Sequence, residues 1–273
     1  MTRTPAPVFP LFWENATRPA LAAAAGHDPV AVLPLGAIEQ HGPHLPVSTD
    51  LLIALGVLRR AMESAAPRVP IVVLPRLALG SSEEHVGLGG TLSLDAETLG
   101  RVLGSLAAAV AAEGICRLVI VNAHGGNKHV VDGAALRART DHGLLVVKAH
   151  VFRFPRPESV ELPEAEWRHG LHGGAVETAM MLHLHPDLVR ADAVRDFPSL
   201  GTKLEEGLDV LLPEGPAAFA WTAKDLNPDG VTGNAELATE EMGARLVEGY
   251  GAYLARILAD AARFPLDSLT DRS

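Results

Sequence analysis

The chain has 273 residues, enough to bury about three-quarters of its extended surface, in one large α/β domain or two small ones. Asp and Glu outnumber Lys and Arg by 33 to 23, a formal charge of -10 without any basic stripe, which argues against nucleic acid or an anionic membrane as partner. A single cysteine, Cys116, excludes an intrachain disulfide, and neither Met1 to Pro10 nor any later stretch has a long apolar core, so the expectation is a cytoplasmic protein.

No linker divides the sequence, and it reads as one domain over residues 1–273. The run Leu21-Ala22-Ala23-Ala24-Ala25 predicts a first helix, with Thr17 placed to cap it, Pro19 in its first turn and Gly26 to stop it. Ala31-Val32-Leu33-Pro34-Leu35 is apolar and short, a buried strand. Gly42-Pro43 and Leu45-Pro46 then forbid regular structure, so a loop leaves the strand's C-terminal end. Thr49 or Ser48 caps a helix to about Ala66, with Leu52, Leu55, Leu58 and Met62 at helical spacing and Asp50 in its first turn. Ile71 to Leu74 is a second strand, followed by a long loop, Ala78 to Thr91, of the length commonly reserved for function.

A helix starting at Ser93 or Asp95 carries Leu99, Val102, Leu103, Leu106 and Val110 on one face and ends at Gly114. Arg117 to Val121 is the clearest strand, ending in Asn122-Ala123-His124-Gly125-Gly126-Asn127, from which a helix runs over Lys128 to Thr140. Leu144 to Val147 is a further strand. This alternation predicts an α/β fold of three layers, a mostly parallel sheet with helices on both faces. Right-handed crossovers place the loops after residues 35, 74 and 121 along one edge. Phe152 to Arg168 reads as a surface excursion. Gly173-Gly174 opens a helix to about His185 with Val176, Met180 and Leu184 inward. Residues 195–234 show no firm periodicity, and Glu236 to Ala262 is a long amphipathic helix that should pack across the sheet.

The chemistry concentrates in Glu39-Gln40-His41-Gly42-Pro43-His44, continued by Thr49-Asp50. Glu39 and His41 point the same way on an extended chain, and the loop returns Asp50 to them. Two carboxylates and an imidazole suit zinc, manganese or iron, although loop residues of these types are as often merely solvated. His124 stands just past a strand end beside two glycines that let the backbone turn and admit a ligand; an isolated histidine there is more often a hydrogen-bonded turn residue.

The segment from Leu35 to Pro46, through Thr49-Asp50, resembles the signature of the creatininase (creatinine amidohydrolase) family, metal-dependent hydrolases of C–N bonds. Asn122 to Asn127 resembles the family's second signature, and His172-Gly173-Gly174-Ala175-Val176-Glu177-Thr178 its third. Asp229-Gly230-Val231-Thr232-Gly233-Asn234 also falls within the resemblance. It implies two divalent metal ions (Zn, Mn or Fe), one on Glu39, Asp50 and His124 and the other on His41 and Asp50. Asp50 bridges them, as two cations about 3.5–4 Å apart require. Creatinine-hydrolysing members place a glutamate two residues after the second signature's histidine, where this chain has Gly126; Glu177 is the candidate replacement. A glutamate exposed at a helix start, favoured by the dipole, is the alternative for it.

By the same resemblance His172 is the catalytic proton donor, for which imidazole's near-neutral pKa is suited, and Glu177 is counted with it as a candidate catalytic residue. His85 is a candidate substrate contact or a surface histidine. His44 supports the first loop, and His183 and His185 face solvent or an adjoining subunit. The expected activity is cleavage of an amide, lactam or formamide bond in a small molecule by a metal-bound hydroxide. Family members open creatinine, deformylate a formamidopyrimidine intermediate or trim a modified peptide, so a peptidase is one alternative; a catalytically silent metal-binding protein is another. A nucleotide-binding reading of Gly125-Gly126 lacks the Lys-Ser/Thr ending of a phosphate loop. Similar proteins form ring-like hexamers, which implies a homo-oligomer.

Overall fold

The computed structural model describes residues 7–65 and 69–269. Its centre is a parallel five-stranded sheet of β1 (Leu11–Phe12), β2 (Val30–Leu35), β3 (Ile71–Val73), β4 (Arg117–Asn122) and β5 (Leu145–His150), in the order β1-β3-β2-β4-β5. Helices α1 (Arg18–Ala25), α2 (Thr49–Ala65), α3 (Ala96–Ala112) and α4 (Lys128–His142) connect or flank these strands. Then follow α5 (Glu164–His169), α6 (Ala175–Leu184), β6 (Asp196–Phe197), α7 (Leu200–Leu204), α8 (Ala223–Leu226), β7 (Gly233–Asn234) and α9 (Glu240–Arg263).

The residues of β2 and β4 are buried throughout, because helices cover both faces of the sheet. Alternate side chains divide between two cores. Val30 and Val32 join Ile53 and Val57 of α2, Met180 of α6 and Leu246 and Leu254 of α9. Ala31, Leu33 and Leu35 join Leu21 of α1, Leu99 and Leu103 of α3 and Val131 of α4. Gly243 marks the closest approach on the first face: a Cβ there would lie 1.8 Å from the carbonyl oxygen of Ala179. Backbone cannot yield as a side-chain tip would, so Gly243→Ala should destabilise the chain by about 1–3 kcal/mol or more. Denaturant melts of the two proteins check it, and an unchanged midpoint would refute it.

The strand order reverses between β2 and β4: the chain goes from β2 to β3 on one side, then to β4 on the other. In open α/β sheets the ligand crevice lies at this reversal, outside the strands' C-terminal ends. The loops after β2, β3 and β4 meet there, along one edge as the sequence suggests.

Several sequence expectations need correction. The edge strand β1 has no periodic signal, being two residues long. The excursion after β5 contains α5, and residues 195–234 contain β6, β7, α7 and α8, each too short for a repeating apolar face. Thr17 makes no capping side-chain bond, whereas Asp95 accepts one from the Thr98 amide of α3. Thr49 donates its hydroxyl to the Pro46 carbonyl. A single 3-10 turn, Ala235–Leu237, precedes α9, which Thr239 caps. Ala66, the expected end of α2, and Met1–Ala6 lie outside the described residues. Among the described residues no helix is long and apolar enough to cross a membrane.

Candidate metal centre

Glu39, His41 and Asp50, delivered by the loop after β2 and the first turn of α2, are buried almost completely. His124 reaches them from the turn after β4, and Glu177 from the first turn of α6. Asp50 Oδ1 lies 3.3 Å from His41 Nε2, while Oδ2 lies 3.3 Å from His124 Nδ1. His124 Nδ1 is also 3.3 Å from Glu39 Oε2, and His41 Nε2 is 3.9 Å from Glu177 Oε2. The two oxygens of Asp50 therefore face two different imidazoles, each completed by a different glutamate.

The outer nitrogens decide what the inner ones offer. His41 Nδ1 is 3.1 Å from the Glu39 carbonyl and His124 Nε2 is 2.8 Å from the Ser81 carbonyl. A carbonyl accepts only, so each outer nitrogen carries the proton, and the inner nitrogen of the neutral ring presents a lone pair. Both Glu39 oxygens, His41 Nε2 and Asp50 Oδ2 are buried and lack a hydrogen-bond partner. Lone pairs converging in a buried site are costly unless a cation or proton sits among them. The donor set fits a divalent metal, and groups such as Glu39, His41 and Asp50 bring their ligand atoms within 4.8 Å of one another.

Without a cation, protons take that place. Burial alone would lower His41, but Asp50 and then Glu177 and Glu39 raise it to about 10. Burial likewise opposes His124, yet Glu39 and Asp50 raise it well above the usual histidine value. Burial works against ionised Glu39 and Asp50, and the histidines nonetheless hold both carboxyls below the usual range. Histidines raised in the folded state contribute stability fully below their unfolded value near 6.5 and lose it as pH climbs through the folded value. Chelator-treated protein should therefore melt at falling temperature from pH 7 to 10, and Zn²⁺ should bind more tightly over the same range. Melting curves and zinc titrations at stepped pH test this; a flat profile in both would refute it.

His172 sits between the rings of His41 and His85, at centroid distances of 4.1 and 4.3 Å. Its Nε2 is 2.7 Å from the Gln40 carbonyl and its Nδ1 3.6 Å from Glu39 Oε1. Burial, then His41 and His85, push its pKa well below the usual value, so it is a neutral ring with Nδ1 free to accept a proton. Serving as donor thus requires it to take a proton first. Glu177 is buried, not exposed at its helix start; burial raises its carboxyl to about 7, and its Oε2 accepts from the Gly173 amide at 2.6 Å.

His85 is buried within the cluster, not at the surface, with Nε2 3.4 Å from Glu39 Oε1. His44 supports the loop as expected: its Nε2 is 2.9 Å from the Gly173 carbonyl and 3.0 Å from Thr178 Oγ1. His183 is exposed and His185 half-buried.

Three residues escaped the sequence reading. The Gln40 side chain donates to the Gly230 carbonyl at 2.5 Å and lies 2.9 Å from His85 Nδ1, tying the first loop to the Asp229–Asn234 segment. Glu166 of α5 accepts from the amides of Ala175 and Asn234, each at 2.7 Å, and so fixes the start of α6. Glu84 lies beside His124, its Oε1 3.7 Å from Nε2. Gln40 stood inside the quoted motif, whereas Glu84 lay in the long loop after β3 and Glu166 in the stretch read as a surface excursion, with nothing further to mark either. Over the centre opens a cavity of about 730 Å³, walled by Phe152, Trp167, Phe219, Trp221 and Tyr250.

The family model described as creatinine amidohydrolase matches residues 14–258. A mycofactocin precursor peptide peptidase of Mycobacterium ulcerans (strain Agy99) is 33% identical over 228 residues, covering 80% of this chain and 80% of that protein. A creatinine amidohydrolase of Pseudomonas putida is 35% identical over 188 residues, covering 65% of this chain and 72% of that protein. The solved structure described as "Creatininase Mn" superposes with a TM-score of 0.73 at 28% identity, covering 93% of this chain and 99% of that one.

Proposed function

Because the chain belongs to the creatininase family, a family of hydrolases, we propose that it is a metal-dependent amidohydrolase that cleaves a C–N bond at the centre built on Asp50. The observation that carries this reading is the division of the two Asp50 oxygens between His41 and His124, in a site whose buried acceptors lack donors. Glu39, Asp50 and His124 would hold one cation, and His41, Asp50 and Glu177 the other. Zinc, manganese or iron suits these ligands, and when bound supplies the Lewis acidity that polarises a carbonyl and acidifies a water.

The chain's own groups do the rest. His172 Nδ1 takes the proton released by the attacking water and returns it to the departing nitrogen, while Nε2–H stays on the Gln40 carbonyl and keeps the ring in place. Gln40 and Glu166 hold the loops that carry the ligands. The aromatic wall confines the substrate and excludes bulk water.

Creatinine is not the proposed substrate. Trp167 lies near one of the two positions where the creatinine enzymes use tryptophan, but Lys148 to Phe154 offers none for the other. The cavity of about 730 Å³ is in the range that encloses drug-sized molecules, far beyond one five-membered ring. Small amides, lactams and formamides fit it. So does the end of a peptide, a second reading favoured by the cavity's size and by the peptidase relative. The proposal includes action as one cytoplasmic domain over residues 1–273 and as a homo-oligomer. The test is hydrolysis of a panel of creatinine, lactams, formamides and short peptides by metal-loaded protein. Turnover of creatinine matching the best amide would overturn the substrate reading, and no hydrolysis by a fully loaded protein would favour a silent metal-binding protein.

A further inference from the structure

The loop after β3 brings a carboxylate to the centre from outside all the quoted motifs. Glu84 lies on the single turn Glu83–His85, half-buried while its neighbour Glu83 is exposed. With Glu39 and His124 it forms a group whose ligand atoms lie within 4.8 Å of one another.

Gly126 explains how Glu84 gets there. A Cβ on residue 126 would lie 2.4 Å from Glu84 Oε1 and 2.5 Å from the Ser81 carbonyl oxygen. Glu84 Oε1 is the tip of a flexible side chain and would have to swing aside, so a side chain at 126 would take the place that the Glu84 carboxylate occupies. The missing side chain also lets Ser81 accept from His124 Nε2, which turns Nδ1 toward Glu39 and Asp50.

We propose that Glu84 is a metal ligand of this centre, bound to the cation held by Glu39, Asp50 and His124, and reaching it through the space that Gly126 leaves free. This rests on the metal-dependent reading given under Proposed function. Glu84 then supplies a carboxylate beside position 126, delivered by a different loop from the turn that carries His124. Together with Glu39, Asp50 and Glu177 it brings the centre's carboxylates to four, which balances the charge of two divalent cations.

The experiment is a calorimetric Zn²⁺ titration of the chelator-treated full chain, together with visible absorption of its Co²⁺ form, for wild type, Glu84→Gln, Glu83→Gln and Asp50→Asn. Glu84→Gln should weaken one Zn²⁺ equivalent by about tenfold or more and alter the Co²⁺ spectrum, while Glu83→Gln matches wild type in both. Glu84→Asp, which keeps the charge on a shorter arm, decides by the same criterion if the Gln variant does not fold. Wild-type affinities, stoichiometry and Co²⁺ spectrum in the Glu84 variant would overturn the proposal. If Asp50→Asn loses metal while the Glu84 variant does not, the metal centre stands and Glu84 alone falls. A wild-type chain that takes up neither Zn²⁺ nor Co²⁺ overturns both.

Discussion

Asp50→Asn should lose both metal ions together, and kcat should fall by about a thousandfold or more, roughly 4 kcal/mol of barrier. The expectation follows from position. Asp50 lies in the first turn of α2, where the helix dipole favours the ionised carboxylate, and it has an oxygen toward each of the two imidazoles. Asparagine keeps one weak carbonyl ligand, turns an N–H toward the other imidazole and removes the charge that offsets repulsion between the cations. His41→Ala should strip chiefly the cation shared with Glu177, and His124→Ala chiefly the one shared with Glu39. Metal content per chain, read beside melting temperature and activity, separates these outcomes. An Asp50→Asn protein that retains two tightly held ions would sink the bridging assignment. The variant should still fold: Glu39 remains beside His124, and Glu177 and Glu39 remain near His41, so the buried charges keep opposite partners.

What the sequence reveals of this molecule follows from how far its physical signals reach. Strands β2 and β4 are continuous apolar runs ended by loops, and the helices between them repeat their apolar residues at helical spacing, so the sheet and its crevice are legible. Glu39, His41 and His124 are legible because they follow strand ends in turns that only a few residue types permit, and Asp50 because it stands in the first turn of the next helix. Glu84 is not, because what brings it to His124 is a contact between loops, made possible by the missing side chain of Gly126. Glu166 is hidden for the same reason: its two backbone partners, Ala175 and Asn234, lie 9 and 68 residues away. His172 shows a third limit. Its place in the third motif is readable, but its protonation is set by burial and then by the company of His41 and His85, which only the folded chain assembles.

That company gives the second large effect. His172→Ala should lower kcat by about 10²–10⁴-fold, the range for removing a positioned general acid–base, with little change in KM. The ring is held for proton transfer: its Nε2 bonds to the Gln40 carbonyl, its backbone carbonyl accepts from the Thr232 amide at 2.7 Å, and Nδ1 faces the cluster. Burial and two adjacent histidines hold its pKa well below the ordinary value, so in the wild-type protein it is an unprotonated base throughout the neutral range. Activity limited by this group should therefore persist below pH 6.5 before its acid limb begins, and that limb should vanish from the variant's profile. Metal content distinguishes the role further, because His172 also lies within reach of Glu39 and of the His41 and Glu177 pair. A variant that keeps its metals and regains turnover with added imidazole identifies a proton carrier. A variant that loses a metal ion, or whose kcat stays within tenfold of wild type, shows that His172 serves as a ligand or a packing residue instead.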